Sequence, residues 1–277
     1  MYCKIPIFRI RKIYKSKLHG LFILFYRTLT EIFCMKFLVI ISFCFVMSIS
    51  HTFADLSKQI STDTSLLVHK CNDFTITGKG DNAEWQKSSW VSLNKIDSNG
   101  KAYESKFKIL YSSSGIYVLF SGQDDKITSR FGNDFDSLFK ADVFEVFFHP
   151  EISEPMYLEY EVSPLNKELV FLIINRGGKL GGWMPWHYEG NKKIIKNVIV
   201  NGGEMKNGAT IQSWTAEIFF PYTILYPLLN VPPVSGARWH ANFCRLDYDS
   251  GRMVKWAWSP IKNSFHEFKN YLSLVFE

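Results

Sequence analysis

The amino-acid sequence predicts an all-β protein, an antiparallel β-sandwich of jelly-roll or immunoglobulin-like architecture with few short helical turns. Three observations lead to this fold class. Short strand-like runs recur from residue 73 onward and are separated by Gly, Asn, Asp and Pro. Aromatic residues make up 16% of the chain, and sheets accommodate such rings readily. Helical periodicity is scarce, so a helix-rich architecture is disfavoured.

Individual strands follow from apolar runs and from alternation. Residues 106–111 and 116–120 predict a hairpin, because the Ser-Ser-Ser-Gly segment between them is typical of a turn. Period-two alternation along 212–220 indicates a strand with one buried face. Further strands are predicted at 143–148, 157–162, 168–174, 193–200, 238–246, 253–258 and 271–276, and short helical turns at 81–86 and 221–226.

The N-terminal region has the pattern of a targeting segment. An apolar run over 37–49 follows Lys36, and Thr52 and Ala54 place small residues at positions −3 and −1 of a cleavage site before Asp55. The run is shorter than the ~20 apolar residues of a membrane span. We therefore expect export to the periplasm, the cell surface or the medium, with no stable membrane span after cleavage. The predicted organisation is a gene-model extension or leader over 1–34, a signal peptide over 35–54, a linker over 55–72 and the sandwich domain over 73–277.

The charge distribution excludes one class of partner. The chain carries 32 Lys and Arg against 26 Asp and Glu, a formal net charge of +6. Eight of the basic residues and one acidic residue lie in 1–54, which leaves 24 basic and 25 acidic residues from Asp55 onward. A near-neutral body lacks the clustered Lys and Arg that nucleic-acid binding requires. The sequence instead favours an uncharged ligand such as a sugar.

Cysteine usage leaves two alternatives open. Three of the five cysteines lie in the leader, so only Cys71 and Cys244 remain in the predicted mature chain. In an exported protein these two form either one disulfide or two buried free thiols. No Cys or His spacing indicates zinc.

The segment 181–190 concentrates aromatic residues between glycines and a proline, which indicates a loop. Trp183 and Trp186 would offer flat faces for stacking on sugar rings, and His187 and Glu189 would bond hydroxyl groups. The alternative is that both tryptophans fold back over the sandwich core as a lid.

A second group lies near the C-terminus. Arg245, Asp247 and Asp249 alternate along one strand and share a face, and Trp256 and Trp258 follow nearby. Such a surface suits polyol recognition, whereas the alternative is an internal Arg–Asp pair beside core tryptophans.

Carboxylates suggest two weaker sites. Glu159 and Glu161 share a strand face at a spacing that overlaps that of glycosidase carboxylate pairs, although a solvated face or a hydrogen-bonding role is the alternative. A structural Ca²⁺ site or a solvated loop are the two interpretations of the acidic residues Asp124, Asp125, Asp134, Asp136 and Asp142.

An ordered set of motifs resembles a known family. The segments are 78–85, 142–147, 160–166, 182–190, 241–249 and 258–260 with 265–266. Together they resemble the exported carbohydrate-binding family 9-like proteins, relatives of the family 9 carbohydrate-binding modules of xylanases. The resemblance spans about residues 73–277. It implies a jelly-roll-like β-sandwich, binding of an oligo- or polysaccharide, and a structural Ca²⁺ in some members.

The resemblance also implies site residues. The two sugar-stacking tryptophans of the xylanase modules correspond to Phe139 and Phe265. The acid that bonds the sugar corresponds to Glu145, and a sugar-binding arginine corresponds to Glu161, which reverses the charge. Ligand identity is therefore not carried over.

Three functional hypotheses follow. The first is a non-catalytic glycan-binding protein associated with polysaccharide breakdown, in which Phe139, Glu145 and Phe265 contact the sugar and Trp183, Trp186 and Arg245 extend the cleft. The second is a stand-alone glycoside hydrolase that uses Glu159, Glu161 or Glu145. The third is a haem-binding redox module with His187 and either Met184 or Met253 as axial ligands.

Overall fold

The structure is a computed structural model that describes residues 65–183 and 188–277, without the side chain of Trp183. Its strands are β1 (Ser65–Lys70), β2 (Val91–Ser92), β3 (Asn94–Lys95), β4 (Ser105–Tyr111), β5 (Gly115–Gln123), β6 (Val143–His149), β7 (Met156–Val162), β8 (Glu168–Arg176), β9 (Lys179–Trp183), β10 (Ile195–Asn201), β11 (Ser213–Pro221), β12 (Arg238–Asp247), β13 (Val254–Ala257) and β14 (Leu272–Phe276). One α-helical turn, α1 (Tyr222–Leu225), and 3₁₀ turns at Ala83–Lys87, Leu138–Lys140, Gly190–Lys192 and Phe268–Asn270 complete the described elements.

The strands form two layers joined through β1. One layer has the order β10-β11-β5-β4, and the other has the order β14-β12-β6-β7-β8-β9. The first four residues of β1 pair in parallel with β14, and its last two residues pair in parallel with β4. The other strand pairs within the described residues are antiparallel. The predicted antiparallel β-sandwich is confirmed, and each of the ten predicted strands overlaps an observed one.

The main core lies between the two layers and is largely aromatic. The rings of Phe107 and Phe243 stack across the layers with centroids 3.8 Å apart, and those of Phe120 and Phe144 stack at 4.6 Å. Trp214 is fully buried beside them. Strand alternation delivers these side chains to the inner faces, as the period-two pattern predicts.

A second apolar cluster lies on the opposite, outer face of the β12-β6-β7-β8 layer. Its centre is Phe147 of β6, whose ring contacts those of Phe265 and Tyr271 at centroid distances of 6.2 and 5.8 Å. The segment that follows β13 therefore folds back over this face. The covered face forms the floor of the site described below.

The sandwich begins earlier than the sequence predicted. Residues 65–70 were expected to belong to a linker, but they form β1, and the backbone N–H of Glu277 bonds to the carbonyl oxygen of Val68 at 3.1 Å. The partners of β1 are distant along the chain, so no local hairpin pattern marks it. The predicted leader and signal peptide lie outside the described residues. Within residues 65–183 and 188–277, no helix has the length and hydropathy of a transmembrane span.

The two cysteines of the body are separate free thiols. Cys71 packs in a small cluster with Trp85 and Leu110, whereas Cys244 lies in the outer-face cluster with Phe147. Of the two alternatives, the structure therefore shows free thiols. Burial raises the pKa of Cys71 to about 12 and also raises that of Cys244.

Candidate functional site

A cleft of about 470 Å³ opens on the outer face of the β12-β6-β7-β8 layer. We call it the outer cleft. Strands β6, β7 and β8 supply its floor, and the turn Leu138–Lys140, strand β9 and the segment 263–266 supply its walls. The lining residues are Phe139, Glu145, Glu159, Phe171, Ile173, Leu180, Gly181, Gly182, Leu246, Met253, Lys255, Asn263, Ser264, Phe265 and His266.

Two phenylalanines predicted to stack on a sugar both line this cleft. Phe139 is 40% exposed, whereas Phe265 is only 8% exposed because it also packs on Phe147. Their backbones are fixed by hydroxyl donors, since Tyr248 Oη donates to the Phe139 carbonyl at 2.8 Å and Tyr271 Oη donates to the Phe265 carbonyl at 2.6 Å. The fold thus brings together two aromatic side chains 126 positions apart in the sequence.

Three glutamates lie on the floor of the outer cleft or directly beside it. Glu145 of β6 pairs in register with Glu161 of β7, and Glu159 lies two residues along β7. All three point to the outer face because Val146 and Tyr160, next to them on the two strands, belong to the main core. Glu159 and Glu161 were predicted to share a face, and they do. That face is covered rather than solvated, because the exposed fractions of Glu145, Glu159 and Glu161 are 2%, 7% and 0%.

The three carboxyl groups lack donors. Among the described residues, no side-chain or amide donor forms a hydrogen bond with Glu145 or Glu159, and both oxygens of Glu161 are buried without a partner. The Phe139 amide lies near enough to lower the pKa of Glu161 slightly, but not in hydrogen-bonding geometry. Burial raises the pKa of Glu159 to about 8. Burial and the neighbouring carboxyls raise the pKa values of Glu145 and Glu161 well above the usual range.

Protonation therefore decides what these groups do. Like charges this close cannot all ionise, so at neutral pH the cluster retains protons. A neutral carboxyl group both donates and accepts hydrogen bonds, whereas a carboxylate only accepts. The outer cleft thus presents aromatic faces beside groups that bond hydroxyls in either direction.

The two basic side chains that line the outer cleft are directed elsewhere. Lys255 Nζ donates to the carbonyl of Asn263 at 3.2 Å and lies 3.9 Å from a carboxylate oxygen of Asp97. The Nδ1 atom of His266 lies 2.9 Å from the hydroxyl of Tyr157, and burial lowers the pKa of the imidazole. Neither side chain pairs with the three glutamates.

The expectation that Arg245 extends the cleft is wrong. Its side chain points to the opposite face of β12, into the main core, and has no exposed surface. Its Nη2 atom donates to Asp124 at 3.1 Å and to Asp247 at 2.8 Å. Gly122 makes room for it, since a Cβ there would lie 2.8 Å from Nη1 and 2.8 Å from the Phe144 ring. The alternative interpretation, an internal Arg–Asp pair, is the correct one.

The acidic group beside Arg245 brings three carboxylates together. Asp124, Asp247 and Asp249 come within 4.8 Å of one another. Every one of their oxygens accepts a hydrogen bond, with donors that include the indole of Trp214 and the hydroxyl of Tyr103. Each carboxylate oxygen has two lone pairs, so these hydrogen bonds leave acceptor capacity, and the structural Ca²⁺ expected from the sequence stays a prediction. Among the five acidic residues for which a solvated loop was one interpretation, Asp142 is not solvated, because it is buried and accepts a hydrogen bond from the Tyr248 N–H at 2.8 Å.

The tryptophan-rich segment 181–190 begins within strand β9. Residues up to Trp183 form β9, which pairs with β8 and places Trp183 opposite Leu172, so the predicted loop starts later than expected. Gly181 and Gly182 line the outer cleft. Trp186, and with it His187 and Met184 of the haem hypothesis, lie outside the described residues, while Met253 is 44% exposed at the cleft.

Several cleft residues were not predicted. Phe171, Ile173 and Leu180 join the site because β8 and β9 extend the floor beyond β7. Phe171 pairs directly with Glu159, which no sequence pattern reveals, because strand register is set by long-range pairing. His266 was not predicted as a cleft residue either. Its position next to Phe265 in the family-like motif was the one sequence feature that could have indicated it.

Comparison with known proteins places the fold. No protein-family model matches the chain, and no curated protein matches it by sequence. A structure from Bacteroides uniformis, to which a carbohydrate-binding role is provisionally assigned, matches with a TM-score of 0.62 at 15% identity over 77% of this chain and 99% of its own. The chain therefore shares the β-sandwich fold of that structure.

Two further structures also share this fold. They are a family 9 carbohydrate-binding module of Caldicellulosiruptor kristjanssonii in complex with glucose and a module of that family from the same organism in complex with cellotriose. The TM-scores are 0.53 and 0.51, the identities are 14% and 13%, and the matches cover 77% and 76% of this chain and 96% and 94% of theirs. The fold resemblance to family 9 modules is thereby confirmed.

Proposed function

We propose that this protein binds an oligo- or polysaccharide in the outer cleft and does not cleave it. The observation that carries the proposal is the convergence of Phe139 and Phe265 on Glu145 and Glu159. Aromatic faces pack against the apolar faces of sugar rings, and carboxyl groups bond the hydroxyls at the ring edges. Sandwiches of similar fold hold glucose and cellotriose, which supports a saccharide as ligand.

The position of the carboxyl groups favours binding over hydrolysis. Glycosidases place their two carboxyl groups on opposite sides of the bond to be cleaved. Here Glu145, Glu159 and Glu161 all come from one face of two adjacent strands, so they approach a ligand from the same side. Glu161 has no exposed surface with which to reach a substrate. A binding role therefore explains their arrangement better than an acid–nucleophile pair.

Export belongs to the same proposal. Its support is the signal-like pattern over 35–54. Fractionation of cells that express the tagged chain measures this directly. We expect the protein in the periplasmic, surface or medium fraction, cleaved before Asp55. Retention of an uncleaved chain in the cytoplasm would contradict export and leave the binding proposal intact.

Calorimetry with a panel of soluble glycans tests the binding. We expect at least one to bind, and Phe139→Ala to weaken it about tenfold or more, since aromatic anchors dominate such contacts. Trp90→Ala is the matched control, because Trp90 is 41% exposed but does not line the outer cleft. Incubation with chromogenic glycosides runs in parallel. No binding across the panel would overturn the proposal, and turnover lost in Glu159→Gln would favour the hydrolase instead.

A further inference from the structure

The carboxyl groups at the floor of the outer cleft have no cationic partner among the described residues. We propose that its ligand carries a protonated amine, that is, a glycan containing an unacetylated amino sugar. This inference rests on the proposed sugar-binding function and adds the chemical class of the sugar.

The carboxyl groups at the floor of the outer cleft lack hydrogen-bond partners. Glu145 lines the cleft, is 2% exposed and receives no hydrogen bond from any described residue. Glu161 lies opposite it across the strand pair, with both carboxyl oxygens buried and unpaired. Buried carboxyl groups in folded proteins are usually hydrogen-bonded or paired with a charge. The missing partner of Glu145, which lines the cleft, is therefore expected to come from the ligand, and Glu161 adds a second carboxyl group directly behind it.

Among the described residues, no cationic side chain compensates these carboxyl groups. The groups packed around the cluster are the Cys244 thiol of β12 and the hydroxyls of Tyr157, Tyr248 and Tyr271, none of which carries a positive charge at neutral pH. Lys255 is directed at Asn263, and His266 is bonded to Tyr157. In contrast, Arg245 neutralises the acidic residues of the main core. No described side chain therefore supplies a positive charge to the carboxyl groups of Glu145 and Glu159 in the outer cleft.

An ammonium group on the ligand would suit the carboxyl groups of Glu145 and Glu159. It offers three donors on one atom, so it can bond to Glu145 and Glu159 together in charge-assisted hydrogen bonds. A hydroxyl supplies one donor and no charge. Phe139 and Phe265 still contact the ring of an amino sugar, because replacing one hydroxyl by an amine leaves the apolar faces of the ring unchanged. A simple alkylamine lacks those faces, so we expect the sugar ring to be required as well.

Proton release accompanies this binding. In the free protein the carboxyl pKa values lie above their usual range because of burial and mutual repulsion. A bound ammonium favours the ionised carboxylates, so protons leave the cluster when the ligand enters. Affinity for the amino sugar is therefore expected to rise with pH as long as the amine stays protonated.

Matched trisaccharides test the proposal in the full chain. Cellotriose and the β-1,4-linked trimer of glucosamine share a backbone and differ by hydroxyl against ammonium at carbon 2. The N-acetylglucosamine trimer controls for bulk without charge, and butylamine controls for charge without a ring. Calorimetry near pH 6.5 in two buffers of different ionisation enthalpy gives affinity and proton release together. We expect the glucosamine trimer to bind at least about tenfold more tightly than cellotriose, with protons released.

Variants separate the role of the cluster from the fold. Glu145→Gln keeps the shape and removes a carboxyl group that lines the cleft, whereas Glu161→Gln removes the carboxyl group opposite Glu145 and acts through it. Each should reduce the preference for the glucosamine trimer several-fold. Glu204→Gln, at an exposed position away from the cleft, should leave it unchanged. Thermal unfolding of each variant checks folding. If Glu145→Gln unfolds, Glu161→Gln and the proton count still decide the matter.

The outcomes distinguish the two proposals. A preference for the glucosamine trimer that falls in the Gln variants supports the inference. Equal or tighter binding of cellotriose overturns the inference that the ligand carries a protonated amine, and it leaves the proposal of sugar binding intact. Binding of butylamine as tight as that of the glucosamine trimer overturns the inference, since the site would then be a general cation site. No binding of any trisaccharide overturns the inference, and failure across the wider glycan panel overturns sugar binding as well.

Discussion

Glu145 and Glu161 lie directly opposite one another on β6 and β7, with side chains on the outer face of the layer. Directly opposed residues of an antiparallel pair have Cβ atoms about 4.5–5.5 Å apart, and like charges there are destabilising. The family-like alignment places an arginine of the xylanase modules at Glu161. The two carboxyl groups thus form a like-charge pair at or directly beside the floor of the outer cleft.

The stability of the protein should fall as the pH rises from about 5 to 8. Burial raises the pKa of Glu159 from 4.5 to about 8, so the folded state holds this proton more tightly than the unfolded chain. Its contribution to stability is full below about pH 4.5 and is lost as the pH rises through about 8, at up to about 1.4 kcal/mol per pH unit. Urea unfolding of wild type and Glu159→Gln at several pH values measures this. We expect the variant to show the flatter profile, and parallel profiles would contradict the assignment.

Removal of the buried guanidinium should unfold much of the protein. Arg245→Met leaves Asp124 and Asp247 without their partner inside the core. Breaking such a pair costs about 3–5 kcal/mol of unfolding free energy. The control is Lys101→Met, which removes an ion pair with Asp125 at the surface and should cost less than about 1 kcal/mol. Chemical denaturation compares the two, and a similar small loss in both would show that the core pair is dispensable.

The two cleft phenylalanines should separate affinity from stability. Phe139 is 40% exposed, so Phe139→Ala should weaken sugar binding with little change in stability, under about 1 kcal/mol. Phe265 packs on Phe147, so Phe265→Ala should also destabilise the fold by about 3 kcal/mol. Calorimetry and urea unfolding on both variants test the difference. A large loss of stability in Phe139→Ala would be incompatible with its exposed position.

Cys71 and Cys244 should resist alkylation in the folded protein. Each thiol is buried, and burial raises both pKa values, so little thiolate is available to react. Treatment with iodoacetamide before and after denaturation, followed by peptide mass mapping, gives the labelling of each residue. We expect label at these two positions only after denaturation. Fast labelling of either thiol in native buffer would show that its segment opens readily.

The local sequence pattern predicted the existence of most strands. It did not predict which strands pair or which of their faces the second layer covers. The alternation over 212–220 determined both the existence of β11 and its buried face, since Trp214 and Ile218 lie in the main core. The side on which Arg245 points depends on which face of β12 is covered by the second layer, and that is a long-range property. The outer cleft shows the same division, because Phe139 and Phe265 came from family-like motifs, whereas Phe171 joined through strand register.

The contact between Gly122 and Arg245 links two distant positions in evolution. A side chain at 122 would collide with the guanidinium and with the Phe144 ring, so glycine there is the condition for an arginine at 245. Across descendants of this chain the two positions should therefore change together. A lineage that loses the arginine is free to acquire a larger residue at 122, and a lineage that first loses the glycine would have to abandon the ion pair with it.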